Sequence, residues 1–297
     1  MKRIFYSNVN YTCNSNCVFC YSHNTIHNAA RNREITHSAL VEYWHRKELS
    51  CRDCVIVNGG EPLLHEEIDK ILASLLQIGC EILVYTNGRL ASSLNTAGFN
   101  SHIRFIVPIH GFEELHDEIT GVKGSYAETV NGLHHLAAGD CLVDIKLILN
   151  HKMISTPFNF DRTMKSLEDV PFNNALHITK MADTIVAQKN GCTPVSLEES
   201  SKYTKIAVEN FMGRHKIKVY DTCVRDIAGL LDSSDIIPFN ETVEVFFKDE
   251  KSEKPIDLHP SKLKCKASCP QHLFCKSAVC EYTVLEINQH QVRITTE

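Results

Sequence analysis

The sequence predicts an α/β fold: a partial (β/α)6 TIM-type barrel followed by a small cysteine-rich C-terminal extension. Apolar runs rich in β-branched residues alternate along the chain with segments in which apolar residues recur at helical spacing. The strand-like runs are almost continuously apolar, which is typical of a parallel sheet covered on both faces. Right-handed crossovers would curl such a sheet into an open barrel. After residue 222 this alternation stops and cysteines become frequent.

The elements of the barrel are assigned in chain order. Strands are predicted at residues 3–9, 54–58, 81–86, 103–109, 142–149 and 176–180. Helices are predicted between them, at residues 38–49, 66–78, 126–138 and 161–168. A helix at 197–212, with Ser196 and Glu199 placed as a capping box, and a strand at 217–220 complete the core. We assign residues 1–222 to this core domain and residues 223–297 to the extension.

Composition narrows the class of protein. The 297 residues are 43% hydrophobic and 23% charged, which is ordinary globular composition. A net charge of -5 provides no basic field, so a nucleic-acid partner is disfavoured. The apolar runs fall short of the ~20 residues of a membrane span, and the N-terminus shows no signal-peptide core. We expect a cytoplasmic protein with no membrane association, in which the 13 cysteines serve as metal ligands more readily than as disulfides.

Three cysteines follow the first predicted strand at a C-x3-C-x2-C spacing. They are Cys13, Cys17 and Cys20. A closed structural zinc site takes four protein ligands, whereas a cubane iron-sulfur cluster held by three cysteines leaves one iron open to another ligand. The spacing alone leaves both a zinc knuckle and such a cluster open.

This loop, with Phe19 just before its last cysteine, resembles the cluster loop of the radical S-adenosylmethionine (radical SAM) enzymes. The resemblance implies a [4Fe-4S] cluster on the three cysteines and S-adenosyl-L-methionine (SAM) bound at the open iron, with Phe19 beside the cofactor. It also implies reductive cleavage of SAM to a 5'-deoxyadenosyl radical that abstracts hydrogen from a substrate. No general acid or base can be named from the sequence.

Two further strand-end loops resemble motifs of the same family. Gly59, Gly60 and Glu61 follow the second predicted strand in a G-G-E-P sequence, and glycines let backbone approach a ligand closely. In the family, this motif receives the methionine amino group of SAM. Thr86 and Asn87 begin a T-N-G sequence after the third strand, and the resemblance implies that their polar side chains contact the cofactor.

The fourth and fifth strands supply two more candidates. Residues 107–126 resemble the S-x-D-G … H-D … G … G-S-F string of the SPASM/twitch branch, but Pro108 and His110 replace its Ser and Asp. The ribose contacts of relatives therefore do not transfer, and His110 is either a cofactor or substrate ligand or a structural residue. Asp144 and Lys146 share one face of the fifth strand. If that face is the barrel lumen, Lys146 is a candidate for the SAM carboxylate; otherwise the two form a solvated pair.

The extension carries a second set of cysteines. Cys265, Cys269, Cys275 and Cys280 are closely spaced, and Cys223 could supply another ligand. So short a segment has too small a hydrophobic core to fold stably, so it needs additional stabilisation such as a bound metal centre. The set resembles the twitch or SPASM tail, which implies one auxiliary [4Fe-4S] cluster on four of the five, although the spacings differ from the SPASM pattern. Structural zinc is the alternative, because thiolates suit either metal.

The resemblance implies a radical SAM enzyme of the peptide-maturase kind, whose substrate is a ribosomally synthesised peptide that receives a crosslink, epimerisation or thioether. A radical SAM oxidase or mutase of a sugar, aminocyclitol or nucleotide is the alternative, and a zinc-binding interaction module is a remote one. The implied partners are an electron donor such as flavodoxin or ferredoxin and the substrate. Because no leader-binding winged domain is recognised ahead of the first strand, a peptide would have to be recognised by the barrel, by the tail or by a separate peptide-recognition protein.

Overall fold

Seven parallel strands, paired in the order in which they occur in the chain, form the centre of the fold. The computed structural model describes residues 3–20, 34–181 and 184–220 and four later strands. The central strands are β1 (Arg3–Asn10), β2 (Cys54–Gly59), β3 (Glu81–Tyr85), β4 (Ile103–Ile109), β5 (Leu142–Leu149), β6 (Ala175–Lys180) and β7 (Lys216–Val219). All of their pairings are parallel, which confirms the predicted α/β class and is consistent with a partial TIM-type barrel.

Helices connect these strands. They are α1 (His37–Arg46), α2 (Ile68–Ile78), α3 (Glu113–Thr120), α4 (Ser125–Ala137), α5 (His151–Ile154), α6 (Pro157–Glu168), α7 (Ile185–Lys189) and α8 (Leu197–Phe211). Local signals set their ends: Thr156 caps α6 ahead of Pro157, and the predicted capping box of Ser196 and Glu199 is formed at α8. None of the helices in the described part of the chain is long and apolar enough to cross a membrane.

The two faces of the sheet differ in chemistry. On β5, Val143, Ile145 and Leu147 are fully buried and belong to the main hydrophobic core beneath the helices. The alternate residues Asp144 and Lys146 therefore lie on the opposite face, which we call the concave face. Directly paired residues on neighbouring strands lie on the same face, and Lys146 is paired with Pro108 on β4 and with His177 on β6. Pro108 and His177 therefore also lie on the concave face. The structure thus places Asp144 and Lys146 on the lumen side.

Residues beyond 222 add strands to both edges of the same sheet. They are β8 (Ile236–Pro238), β9 (Glu244–Phe247), β10 (Thr283–Asn288) and β11 (Gln291–Thr296). β9 pairs in parallel with β1, whereas β10 pairs antiparallel with β7 and with β11. The domain boundary at 223 stays a prediction. The five cysteines proposed for an auxiliary centre lie outside the described residues: Cys223, Cys265, Cys269, Cys275 and Cys280.

Candidate active site

The cysteine loop lies at the carboxyl end of β1, the end of a parallel barrel that carries active sites. A turn in which the Cys20 amide donates to the Cys17 carbonyl (3.1 Å) brings these two residues together. Burial, together with the charge of Cys20, raises the pKa of Cys13 to about 11 and that of Cys17 to about 12. Three thiols that oppose one another's ionisation become thiolates when a cation is shared among them.

The three thiols fit a cluster by donor chemistry and proximity. Within the ranges that the structure describes, no three Cys, His, Asp or Glu side chains are already placed around one point as metal ligands. The thiols must therefore turn toward a common centre when the cluster is bound. Two buried acceptor atoms near this end of the barrel, Asn58 Oδ1 and His110 Nδ1, have no hydrogen-bond partner, which is the state expected of groups that face a polar ligand.

The G-G-E segment after β2 holds the cysteine loop by its backbone. The Gly60 amide donates to the Asn10 carbonyl (3.1 Å), and the Glu61 amide donates to the Thr12 carbonyl (2.7 Å). A Cβ atom on Gly60 would lie 2.0 Å from the Thr12 carbonyl oxygen. In this structure the glycine thus permits close approach to the cysteine loop, whereas the sequence interpretation had assigned that role to a ligand contact.

Glu61 joins the second and third strand-end loops. Its buried carboxylate accepts hydrogen bonds from the Thr86 hydroxyl (2.6 Å), the Asn87 amide (2.7 Å) and the Leu63 amide (3.0 Å). Burial raises the pKa of Glu61, and these donors oppose that effect. A carboxylate has about four acceptor positions, so three protein donors leave room for one further donor such as an ammonium group.

The third strand-end loop also reaches the cysteine loop. Asn87 donates through Nδ2 to Asn14 Oδ1 (2.6 Å). Arg89, the residue after T-N-G, donates through Nη1 to the Asn14 carbonyl and to Ser15 Oγ, the latter at 3.3 Å, and pairs with Glu128 on α4 at 2.6 Å. The sequence interpretation missed Arg89, although its position directly after a recognised motif was a usable signal.

Helix α3 supports the cysteine loop from the other side. The amides of Asn16 and Val18 donate to the carbonyls of Thr120 and Ile119, both at 2.9 Å. The last carbonyls of a helix have no partner within the helix, so α3 uses two of them to hold this loop. The sequence interpretation did not assign residues 113–120 to a helix.

Asp117 has a structural role that accounts for the H-D and G-S-Y parts of the motif in residues 107–126. Its carboxylate accepts hydrogen bonds from the Gly124 amide (2.5 Å), the Ser125 hydroxyl (2.9 Å) and the Tyr126 amide (2.8 Å). It thereby satisfies donors at the N-terminus of α4, where negative charge is favourable. These residues form a helix cap that fixes the end of α3.

His110 lies between the cysteine loop and α3. Its ring centroid is 5.2 Å from that of Phe19, edge to face, and 5.3 Å from that of His116. Burial, and then the nearby His116, hold the pKa of His110 well below its ordinary value, so the ring is uncharged at neutral pH. The buried Nδ1 without a partner favours the ligand-binding alternative over the purely structural one.

Lys146 lies farther along the concave face. Its Nζ atom is 5.6 Å from the ring centroid of Tyr85 and 5.7 Å from that of Tyr220. Asp144 accepts a hydrogen bond from His177 Nε2 at 2.7 Å, so it is not half of a solvated pair with Lys146. The sequence interpretation missed His177 and Tyr220, because neither belongs to a recognised motif.

A cysteine loop held by two strand-end loops at the carboxyl end of a parallel barrel is a site of the kind found in cluster-dependent enzymes. Residues 7–149 match the family model of the Radical SAM superfamily, and a domain of this kind implies SAM and a [4Fe-4S] cluster as cofactors. The prediction of an enzyme domain is confirmed, whereas the SPASM/twitch branch and the individual site residues stay predictions.

Curated relatives and a solved structure resemble the chain over different lengths. It is 34% identical over 145 residues to the probable GTP 3',8-cyclase of Pyrobaculum aerophilum, covering 47% of this chain and 44% of the relative. It is 23% identical over 225 residues to the Fe-coproporphyrin III synthase of Methanosarcina barkeri, covering 72% and 53%. SuiB of Streptococcus suis bound to S-adenosylmethionine has a TM-score of 0.57 at 11% identity, covering 82% and 57%. The chain thus spans about half the length of these curated relatives.

Proposed function

We propose that this protein is a radical SAM enzyme in which Cys13, Cys17 and Cys20 hold a [4Fe-4S] cluster. When bound, the cluster and SAM supply a 5'-deoxyadenosyl radical that abstracts hydrogen from the substrate. One observation carries the proposal: the backbone of the cysteine loop is fixed by Gly60 and Glu61 and by the loop after β3. That network holds the backbone of the cysteine loop at the carboxyl end of the parallel strands, which supports the three cysteines as cluster ligands.

The chain's own residues orient the cofactor in this proposal. Glu61 has one acceptor position left for the SAM amino group after its three protein contacts. Gly59 and Gly60 let the second strand-end loop lie against the backbone of Asn10 and Thr12, so that Glu61 is held next to the cysteine loop. Thr86 and Asn87 hold Glu61 in place. Phe19 packs edge to face against the uncharged ring of His110, and this packing helps to exclude water from a reactive radical.

The test is an anaerobic reconstitution of wild type and of a variant with alanine at Cys13, Cys17 and Cys20. After reduction, wild type is expected to contain iron and sulfide and to convert SAM to 5'-deoxyadenosine. The triple variant is expected to lose about four irons and all 5'-deoxyadenosine formation. Cys51→Ala is the control, because Cys51 is an exposed cysteine outside the site. Equal 5'-deoxyadenosine from wild type and the triple variant would refute the proposal.

We also propose an auxiliary [4Fe-4S] cluster on four of the five cysteines in the extension. About four irons remaining in the triple variant would support it. Zinc in place of that iron would support the structural alternative. Either result is read by metal analysis of the same two protein samples, so no further variant is needed.

The substrate class has two candidates. A ribosomally synthesised peptide agrees with the fold shared with SuiB, a protein whose structure is also known with its precursor peptide SuiA, although this likeness concerns the fold alone. A small molecule agrees with the names of the curated relatives, a probable GTP 3',8-cyclase and an Fe-coproporphyrin III synthase. A substrate accelerates 5'-deoxyadenosine formation, so extracts of the source organism can be screened for that stimulation. Stimulation destroyed by protease supports the peptide, and protease-resistant stimulation supports the small molecule.

A further inference from the structure

The concave face carries a hydrogen-bonded chain that the cofactor loops do not use. Asp144 on β5 is fully buried and accepts a hydrogen bond from His177 Nε2 on β6 (2.7 Å). The other ring nitrogen of His177, Nδ1, lies 2.9 Å from the hydroxyl oxygen of Tyr220, the residue after β7. A buried polar chain across three neighbouring strands is costly unless every member is satisfied, so its geometry is strongly specified.

The direction of this chain follows from Asp144. Its other oxygen accepts from Asn174 Nδ2 (2.5 Å) and from the Ala175 amide (3.0 Å). Burial alone would raise the pKa of Asp144, but the hydrogen bond from His177, the charge of Arg104 and the hydrogen bond from Asn174 bring it below its ordinary value. The carboxylate is therefore ionised and can only accept.

An accepting Asp144 fixes the proton of His177 on Nε2. Burial lowers the pKa of His177 to about 4, against the raising effect of Asp144, so the ring is uncharged and Nδ1 is an acceptor. Tyr220 consequently donates its hydroxyl proton to Nδ1. The lone pairs of the Tyr220 oxygen are then directed away from its own proton and can accept a donor from a bound molecule.

A cation lies over the aromatic ring that carries this acceptor. The Nζ atom of Lys146 is within 6 Å of the rings of Tyr85 and Tyr220, at 5.6 and 5.7 Å. These residues come from β3, β5 and the end of β7, so the curvature of the sheet brings them around one space. An ammonium group over the ring of a tyrosine whose hydroxyl direction is fixed allows one molecule to place an anion on the ammonium group and a hydrogen-bond donor on the tyrosine oxygen.

The other charges on this face add to the positive field. Register places six more ionisable residues on the concave face near this hydrogen-bonded chain: Glu81, Arg104, Lys216, Lys218, Glu286 and Arg293. Glu81 is paired with Arg104 at 3.6 Å, and Asp144 is engaged by His177. The charges of Lys218 and Lys146 both lower the pKa of His177, so they act on this hydrogen-bonded chain. The described part of this face therefore favours an anion.

We propose that Lys146 and Tyr220 form a substrate-recognition site for an oxyanion, carboxylate or phosphate, that carries a neighbouring O–H or N–H group. This inference rests on the proposed function, because it assigns the substrate of that site. Lys146 binds the oxyanion, and the Tyr220 oxygen accepts the neighbouring donor. His177 and Asp144 are positioning residues that fix the direction of the Tyr220 hydroxyl.

Two small probes test the site in the reconstituted full-length protein. Glycolate and acetate share a carboxylate, but glycolate alone has an adjacent hydroxyl group. Nuclear magnetic resonance titration is expected to show wild type binding glycolate about three- to tenfold more tightly than acetate, the contribution of one hydrogen bond. Tyr220→Phe is expected to abolish this preference, and Lys146→Gln to weaken both probes at least fivefold. Inorganic phosphate, titrated in parallel, shows which oxyanion the site prefers.

A matched control and a spectroscopic signature separate recognition from structural support. Tyr203→Phe removes another buried hydroxyl, one that donates to the Ile154 carbonyl (3.3 Å) in the helical layer, and should keep the glycolate preference. Asp144→Asn should move the His177 proton from Nε2 to Nδ1, visible in the 15N spectrum, and should abolish the preference. A purely structural aspartate would leave the tautomer unchanged, and that result would overturn the positioning role.

Three results would overturn the site itself. They are a glycolate preference that survives in Tyr220→Phe, acetate binding that is unchanged in Lys146→Gln, and displacement of acetate by SAM. The last would assign Lys146 to the cofactor carboxylate, as the sequence first suggested. Protein that forms 5'-deoxyadenosine without a glycolate preference contradicts this inference alone. Protein that shows the preference but forms no 5'-deoxyadenosine contradicts the proposed function alone.

Discussion

Replacement of Asp117 by asparagine tests the link between the α4 cap and the cysteine loop. The new side chain would keep an oxygen for Ser125 and Tyr126, but its amide group would face the Gly124 amide, a second donor. Losing one hydrogen bond to a charged group costs about 1.5–3 kcal/mol, and losing the charge at a helix N-terminus costs about 0.3–1 kcal/mol more. We expect the free energy of unfolding to fall by about 2–4 kcal/mol.

Urea denaturation under reducing conditions measures this change. With a slope of about 3 kcal/mol per M, the midpoint of the D117N variant should lie about 1 M below that of wild type. Asp161→Asn makes the same chemical change at an exposed residue of α6 and should stay within about 0.5 kcal/mol of wild type. The D117N variant should also retain less iron than wild type after reconstitution, because the last carbonyls of α3 hold the cysteine loop.

The pH dependence gives a second test of the same variant. Burial would raise the pKa of Asp117, but hydrogen bonds from Tyr126, Gly124 and Ser125 lower it in the folded state. A lowered folded-state pKa contributes stability above the ordinary aspartate value of about 3.9, and this contribution is lost as pH falls through the folded value. The gap between wild type and D117N should be constant from about pH 5 to 8 and close below about pH 4. A gap that is absent at pH 7, or that persists unchanged at pH 3, would refute the reasoning.

Three further substitutions test two positions in the site and one outside it. Gly60→Ala should abolish cluster binding or soluble expression, because its Cβ would lie 2.0 Å from the Thr12 carbonyl oxygen. Gly98→Ala is the control: its Cβ would meet open space, but the φ of 85° is strained for alanine. It should lower the free energy of unfolding by only about 1–3 kcal/mol, measured by urea denaturation. Arg89→Gln should lower iron retention at least twofold by metal analysis, since it removes donors to the cysteine loop and a contact to α4. Ser196→Ala should cost about 1 kcal/mol by urea denaturation without changing iron content, because the cap lies outside the site. Unchanged iron in the Arg89 variant, or lost iron in the Ser196 variant, would contradict these assignments.

Strand positions were predictable because the buried face of a parallel sheet imposes apolar, β-branched side chains at almost every position. β4 and β5 were predicted at their observed bounds, and the capping box at α8 was read from two residues. Helix α3 was missed because Asp117 belongs to a motif string that resembled a ligand-binding loop. The local sequence did not show that its carboxylate caps the next helix.

Contacts within the site depended on information that local sequence lacks. The cysteine spacing identified the candidate ligands, and the glycines and Glu61 were found through their motif. The partners of Glu61 follow only when the ends of β2 and β3 are placed side by side. Similarly, Asp144, His177 and Tyr220 lie on separate strands, so their hydrogen bonds require the register of β5, β6 and β7.

The pairing of β9 with β1 has a consequence for biosynthesis. β1 gains its outer neighbour from residues 244–247, which are translated long after it. Until those residues emerge, the nascent chain presents an unprotected strand edge beside its reactive cysteines, and such edges recruit other chains. Long-range closure of this kind also slows folding. Expression at low temperature, with iron supplied during rather than after translation, should therefore raise the yield of intact protein.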